Sequence, residues 1–185
     1  MYRKSLFPIY SKSCGKALKL LYIAYGGNMK TRTCCFTGHR NLPPSALPHI
    51  RCRLSACMTT LIQQGVVYFG AGGALGFDTL AAQMVLDFQT QYPQIRLILV
   101  LPCADQTRKW SPENQARFQS ILRRTDKIVV LAKQYEPGCM QRRNRYLVDH
   151  SGVCVCYLTR NAGGTFYTVQ YAKKNGLTVL NCALP

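Results

Sequence analysis

Two glycine-rich segments stand where short apolar runs end: Gly70-Ala71-Gly72-Gly73-Ala74-Leu75-Gly76-Phe77-Asp78 and Asn161-Ala162-Gly163-Gly164-Thr165. Glycine lets a backbone close on a ligand, and the unpaired N–H groups of a helix that begins there suit phosphate. Gly72, Gly73 and Gly76 in the first segment, and Gly163, Gly164 and the hydroxyl of Thr165 in the second, are therefore candidates to cradle phosphate or ribose. Two such turns in one domain argue for phosphate more strongly than either alone. The first turn only approximates G-x-G-x-x-G, because Leu75 stands where the third glycine belongs and no acid follows at the ribose distance. Asp78 either meets a ribose or purine or caps the helix it opens.

Other chemistry-bearing residues follow apolar runs in the same way. Thr37-Gly38-His39-Arg40 turns sharply at Gly38 and places His39 and Arg40 at a rim. His39 is a general base, a phosphate contact or a hydrogen-bonding member of the turn. Trp110, beside Arg108 and Lys109, either stacks on a base or packs on the core as a lid. In Cys139–Ser151, helical spacing puts Arg142, Arg145, Tyr146 and Asp149 on one face and Met140, Arg143, Asn144, Leu147, Val148 and Ser151 on the other. Leu147 and Val148 must face a core. Arg142 and Arg145 are thus expected in solvent, with an Arg145–Asp149 pair worth at most about 0.5 kcal/mol. Arg143 shares the core stripe with Asn144, where a guanidinium needs an acid or an anionic ligand, and its planar fork suits phosphate.

The elements that must position these residues alternate. Apolar runs at Thr33–Thr37, Val66–Phe69, Arg96–Leu101, Lys127–Leu131, Val153–Leu158 and Leu177–Asn181 are separated by helical stretches near 45–64, 77–91, 112–124, 140–150 and 165–175. This order calls for an α/β fold: a doubly wound, mostly parallel sheet of about six strands with helices on both faces. Ile98–Leu101 and Val129–Leu131 are continuous apolar runs, as strands covered on both faces should be. Ser111-Pro112 marks a helix start, and Gly65 and Gly176 mark helix ends. In such a sheet, ligands bind outside the carboxyl ends of the strands, where strand order reverses.

The 24 Lys and Arg against 7 Asp and Glu favour anionic partners. Five of the basic residues and none of the acids fall in 1–28, leaving nineteen against seven, or +12, in 29–185. Gly26-Gly27-Asn28-Met29 back-translates to a ribosome-binding site ahead of a start codon. Met29 is therefore expected to be the native start, with 1–28 a non-native extension and 29–185 a single domain. The ten cysteines form no C-x-x-C pair and no Cys/His quartet, so no metal site is expected; those in strands read as small buried hydrophobes in a reducing cytoplasm. No run approaches the roughly 18 apolar residues of a membrane span.

The motif series CFTGHR, GGALGFDTLAA, GCMQRRNRYLVDHS and GGTFYTVQYA, with LPC, Gln106 and Trp110 between, resembles the YpsA-like proteins of the SLOG superfamily over about 31–182. The resemblance implies a Rossmann-like fold and a nucleotide or nucleotide-derived, ADP-ribose-like ligand, in a bacterial cytoplasmic protein of uncharacterised biochemistry. Among relatives, the LOG phosphoribohydrolases pair a helical arginine with a glutamate. Arg143 matches the arginine, and Thr168 stands at the glutamate's place, which speaks against N-glycosidic hydrolysis, since that chemistry uses a carboxylate. The DprA proteins are similar in GGALGFD and RNR, which implies single-stranded nucleic-acid binding as one alternative; LOG-like N-glycosidic hydrolysis, with Asp78 the one carboxylate on offer, is the other. The resulting expectation is a binding or sensing protein without catalysis and without a cofactor, its site formed by Gly38, His39, Arg40, Gly72, Gly73, Gly76, Asp78, Trp110, Arg143, Asn144, Gly163, Gly164 and Thr165. The sequence leaves a homo-oligomer open.

Overall fold

The computed structural model describes residues 29–183; the expected extension 1–28 lies outside them. Six strands form one sheet: β1 Thr33–Gly38, β2 Tyr68–Ala71, β3 Arg96–Leu101, β4 Lys127–Val130, β5 Val153–Tyr157 and β6 Thr178–Asn181. They are joined by α1 Leu47–Gln63, α2 Phe77–Phe88, α3 Pro112–Arg124, α4 Cys139–Asp149 and α5 Gly163–Lys174. The strand order is β4-β3-β2-β1-β5-β6, and every pairing is parallel.

Parallel neighbours need helix-length crossovers, and those helices cover both faces of the sheet. Alternate residues of β1 accordingly serve two cores. Cys34 and Phe36 join side chains of α1, α2 and α3, while Cys35 joins Val100, Cys154 and Cys156 with Leu147 and Val148 of α4 and Val169 and Ala172 of α5. Aromatic rings fill the first core beneath the carboxyl end of β1: Phe36 stacks on Phe69 at 5.9 Å, and Phe77 stacks on Tyr157 at 6.2 Å. Local signals act as expected. The Ser111 hydroxyl accepts the Asn114 N–H ahead of α3, and Gly65 and Gly176 leave their helices at φ 90° and 75°.

One expectation fails at the sheet edge. The apolar run of β4 is not covered on both faces: Ile128 and Val130 are each 42 % exposed. Val129 and Leu131 pack into the second core, but α3 packs on α2 and leaves the opposite face of the edge strand open.

The chain winds from β1 outward to β4, then returns to the other side of β1 to form β5 and β6. The order therefore reverses between β1 and β5, where loops leaving adjacent strands diverge and leave a crevice. That geometry depends on Gly76, which has φ 75°, and a Cβ there would lie 2.2 Å from the Arg40 carbonyl oxygen. Gly164 has nothing within 4 Å of such a Cβ. Gly76→Ala is expected to cost more than about 2 kcal/mol, through left-handed strain and a backbone clash. Gly164→Ala is expected to stay within about 0.5 kcal/mol. Urea unfolding midpoints of the two variants check this contrast.

Candidate functional site

The crevice between β1 and β5 encloses about 500 Å³. Its lining brings together Gly38, His39 and Arg40 after β1, Asp78 of α2, Arg143 and Asn144 of α4, and Gly163, Gly164 and Thr165 at the start of α5. Nine of the thirteen residues expected from the sequence thus meet in one place. Trp110 does not line it; it borders an adjoining cavity of about 770 Å³ with Arg108, Lys109, Lys133 and Tyr135, and its ring packs edge-on against Phe118 at 5.6 Å. Arg40, Ala74 and Met140 line both spaces, so the two are continuous.

Gly72, Gly73 and Gly76 lie outside this lining, and protein groups take both polar atoms of Gly72 and the carbonyls of Gly73 and Gly76. The Asp78 carboxylate accepts N–H bonds from Gly72, at 3.1 Å, and from Ala74. Arg143 Nη1 donates to the Gly72 carbonyl and stands 3.6 Å from Asp78 Oδ2. The Gly73 carbonyl accepts from Gln106 at 3.1 Å, and the Phe77 N–H donates to the His39 carbonyl at 3.1 Å. A nest of backbone donors that could receive an external anion therefore already holds a carboxylate. Gly72 allows it: a Cβ there would fall 1.6 Å from Arg143 Nη1 and 2.7 Å from Asp78 Oδ2.

The side chains of Arg143 and Asp78 are 6 % and 8 % exposed. Burial pushes the Asp78 carboxyl up and the Arg143 guanidinium down, and their mutual attraction opposes both shifts. Further bonds complete the pair. Arg143 Nε donates to Asn144 Oδ1 at 2.8 Å, Asn144 Nδ2 to Thr168 Oγ1 at 2.8 Å, and Thr168 Oγ1 to the Gly164 carbonyl at 2.7 Å. A single hydrogen-bonded chain thus runs from the loop after β2 to the first turn of α5.

His39 fixes the loops from the other side. Its Nε2 accepts the Thr159 N–H at 3.0 Å, and its ring meets Tyr157 edge-on. Because Nε2 is an acceptor, the imidazole is neutral with its proton on Nδ1. Burial, then the nearby Arg160, hold its pKa below 6.5.

The outward face of α4 departs from expectation. Arg145 and Asp149 do not pair. The rings of Tyr167 and Tyr171 on α5 lie beside them: Arg145 donates to the Tyr167 hydroxyl at 2.5 Å and lies over both rings, while Asp149 accepts from the Tyr171 hydroxyl at 2.9 Å. Arg142 is matched by Glu136 at 2.5 Å.

The start of α5 is open. Gly163 and Gly164 are exposed, Ala162 supplies no side-chain cap, and the first turn holds no acid. Exposed Arg40 and Arg160 flank it in the lining. Arg160 did not emerge from the sequence reading, although it follows β5 as Arg40 follows β1. Tyr135 and Lys133 were missed because they sit in a loop with no periodicity. Among the described residues, no three His, Cys, Asp or Glu side chains gather to hold a metal, and no helix is long and apolar enough to cross a membrane.

The family model YpsA, described as the YspA SLOG family, matches residues 35–179. This chain belongs to that family. A UPF0398 protein of Bacillus pumilus is 28 % identical over 131 residues, covering 69 % of this chain and 70 % of the relative. The uncharacterized SPbeta prophage-derived protein YoqJ of Bacillus subtilis is 30 % identical over 138 residues, covering 68 % and 81 %. Among solved structures, DNA processing protein A of Helicobacter pylori, studied for its single-stranded DNA binding mode, superposes with a TM-score of 0.58 at 21 % identity, over 82 % of this chain and 65 % of that one. DprA of Streptococcus pneumoniae gives 0.59 at 16 % identity, over 83 % of this chain and 50 % of that one. This chain thus spans half to two-thirds of those two proteins, and at such identities the likeness is one of fold.

Two outcomes follow from the buried groups. Asp78→Ala leaves Arg143 without its carboxylate and is expected to cost about 3–5 kcal/mol, with Asp78→Ala/Arg143→Met recovering part of the loss; thermal unfolding of the three variants reads this. For His39, the folded chain binds fewer protons than the unfolded one between its lowered pKa and 6.5. Its contribution to stability is therefore complete above 6.5 and is lost as pH falls through that window. Denaturation midpoints at pH 7.5 and 5 are expected to differ less in His39→Asn than in the parent chain.

Proposed function

We propose that this protein binds a nucleotide or nucleotide-derived ligand in the crevice between β1 and β5, with a phosphate at the start of α5. One observation carries the reading: an uncapped helix N-terminus, exposed at Gly163 and Gly164, opens on a switch-point crevice whose lining also presents the exposed Arg40 and Arg160. Helix N–H groups and guanidinium groups converging on one space are an anion site by chemistry as well as by dipole. The volume of about 500 Å³ lies in the range of small-molecule sites. The reading is binding rather than hydrolysis. Asp78 is the one carboxylate in that lining, and it is held by Arg143 and backbone N–H groups, so it has no free proton traffic to offer a glycosidic bond.

The adjoining cavity favours a second reading, single-stranded nucleic acid. Arg108, Lys109 and Lys133 provide charge along its wall, and Trp110 and Tyr135 provide rings, in continuity with the phosphate position. Backbone neutralisation joined to base stacking is how single strands are held without sequence preference. The Helicobacter pylori protein that shares this fold binds single-stranded DNA.

Thermal-shift titrations with mononucleotides, ADP-ribose and short oligonucleotides at two salt concentrations decide between them. A pocketed nucleotide at a hundred times its Kd is expected to stabilise the chain by about 2.7 kcal/mol, with weak salt dependence and loss of the effect in Arg160→Ala. A strand is expected to bind more tightly with length, to weaken steeply with salt, and to lose about 1–3 kcal/mol in Trp110→Ala. Stabilisation by neither class overturns both readings.

A further inference from the structure

The β4 edge of the sheet carries a surface apart from both cavities. Among the described residues, the large apolar side chains that stand exposed are Ile128 and Val130, each 42 %, and Tyr135, 62 %, all between positions 128 and 135. β4 ends the strand order, with β3 as its one neighbour. The Leu131 N–H donates to the Leu101 carbonyl. Alternate residues of a parallel strand turn their N–H and C=O to the same neighbour, so Ile128 and Val130 turn theirs to the open edge. Val129 and Leu131 pack into the second core, so the side chains of Ile128 and Val130 stand on the other face, which α3 leaves bare. They line neither the crevice nor the cavity beside it. Edge strands are ordinarily blunted by proline, a bulge or a central charge. Ile128-Val129-Val130-Leu131-Ala132 has no proline and no charge, and the register with β3 is unbroken.

We propose that this edge receives an extended acidic segment of a partner protein, added to the sheet as a further strand beside β4. Charge selects the occupant. Arg123 and Lys127 are exposed at one end of the edge and Lys133 at the other, and no ion pair among the described residues takes them. The one acid between 123 and 133, Asp126, is held by Arg96 at 3.6 Å and by Gln89 and the Leu97 N–H, each at 2.8 Å. The edge is therefore apolar at its centre and positive, without compensation, at both ends. A segment with two apolar side chains two positions apart sets them beside Ile128 and Val130. Its backbone takes the outward N–H and C=O groups, and acids on either side meet the cations. A second copy of this chain fits less well. An antiparallel pair centred on Val129 sets Lys133 of each copy diagonal to Lys127 of the other, where like charges repel. Each copy also brings an excess of +12 over 29–185, nineteen basic residues against seven acids.

A display selection of random peptides of about seven residues, slightly more than one strand, on the full chain tests this. Enriched peptides are expected to carry two apolar residues two positions apart between acids. Once synthesised, they are expected to bind one to one and to weaken with salt. Ile128→Ser/Val130→Ser, which changes no charge, is expected to weaken them about tenfold. Lys127→Glu/Lys133→Glu is expected to turn the selection toward basic flanks. No enrichment, enrichment without that pattern, or acidic peptides that bind the serine variant as tightly as the parent overturns the proposal. So does a dimer in sedimentation of the parent chain that the serine variant abolishes, which gives the edge to a second copy. All the substituted side chains are exposed, and the glutamate variant reads a change of preference that loss of stability would not produce.

Discussion

The buried ion pair between Asp78 and Arg143 is the constraint on which the rest of the crevice depends. Neither charge reaches water freely, so each must be satisfied by protein groups, and a half-satisfied pair would be worse than none. That requirement fixes what surrounds it. Gly72 must lack a side chain because the guanidinium passes through the space a Cβ would take. The loop after β2 must turn its Gly72 and Ala74 N–H groups inward to the carboxylate. Asn144 must orient its oxygen toward Arg143 and its amide toward Thr168. Three segments distant in sequence are thereby locked at the point where strand order reverses.

The pair also explains why two similar glycine turns have different fates. Each lies between a strand and a helix, and each offers backbone donors. In the first, the chain supplies its own anion two positions into the helix and roofs the helix start with the His39 carbonyl. In the second, no acid stands in the first turn and no cap closes it. Arg40 and Arg160 flank the open one in the crevice lining, while Arg143 is already committed to Asp78 and Gly72. The open helix start is thus left on the β5 side of the switch point, tied to the loop after β2 by the hydrogen-bonded chain that ends at Gly164.

Much of this was legible in the sequence because periodicity reports faces and order. Six apolar runs with helices between them implied a doubly wound sheet. The spacing of Leu147 and Val148 put Arg143 inward, and that position demanded an acid or an anion. Periodicity does not report partners, however. Asp78 answers Arg143 from 65 positions away only because the strand order sets α2 and α4 across the same sheet end. Arg145 and Asp149 have ideal helical spacing for each other, yet aromatic rings from α5 lie closer and take both. The apolar content of β4 similarly implied burial that an edge position does not provide.

Thr168 shows how completely the buried network determines a single position. It is 3 % exposed, with the Asn144 amide on one side and the Gly164 carbonyl on the other. The position therefore needs one atom that both accepts and donates, and a hydroxyl does so with no charge. An ionised carboxylate could accept from Asn144 but could give nothing to the carbonyl, and it would bury a negative charge at a position with no direct cationic hydrogen-bond partner. The residue that resembles an absent catalytic acid in sequence is, in the fold, the link that fixes the open turn of α5 to the Asp78–Arg143 pair.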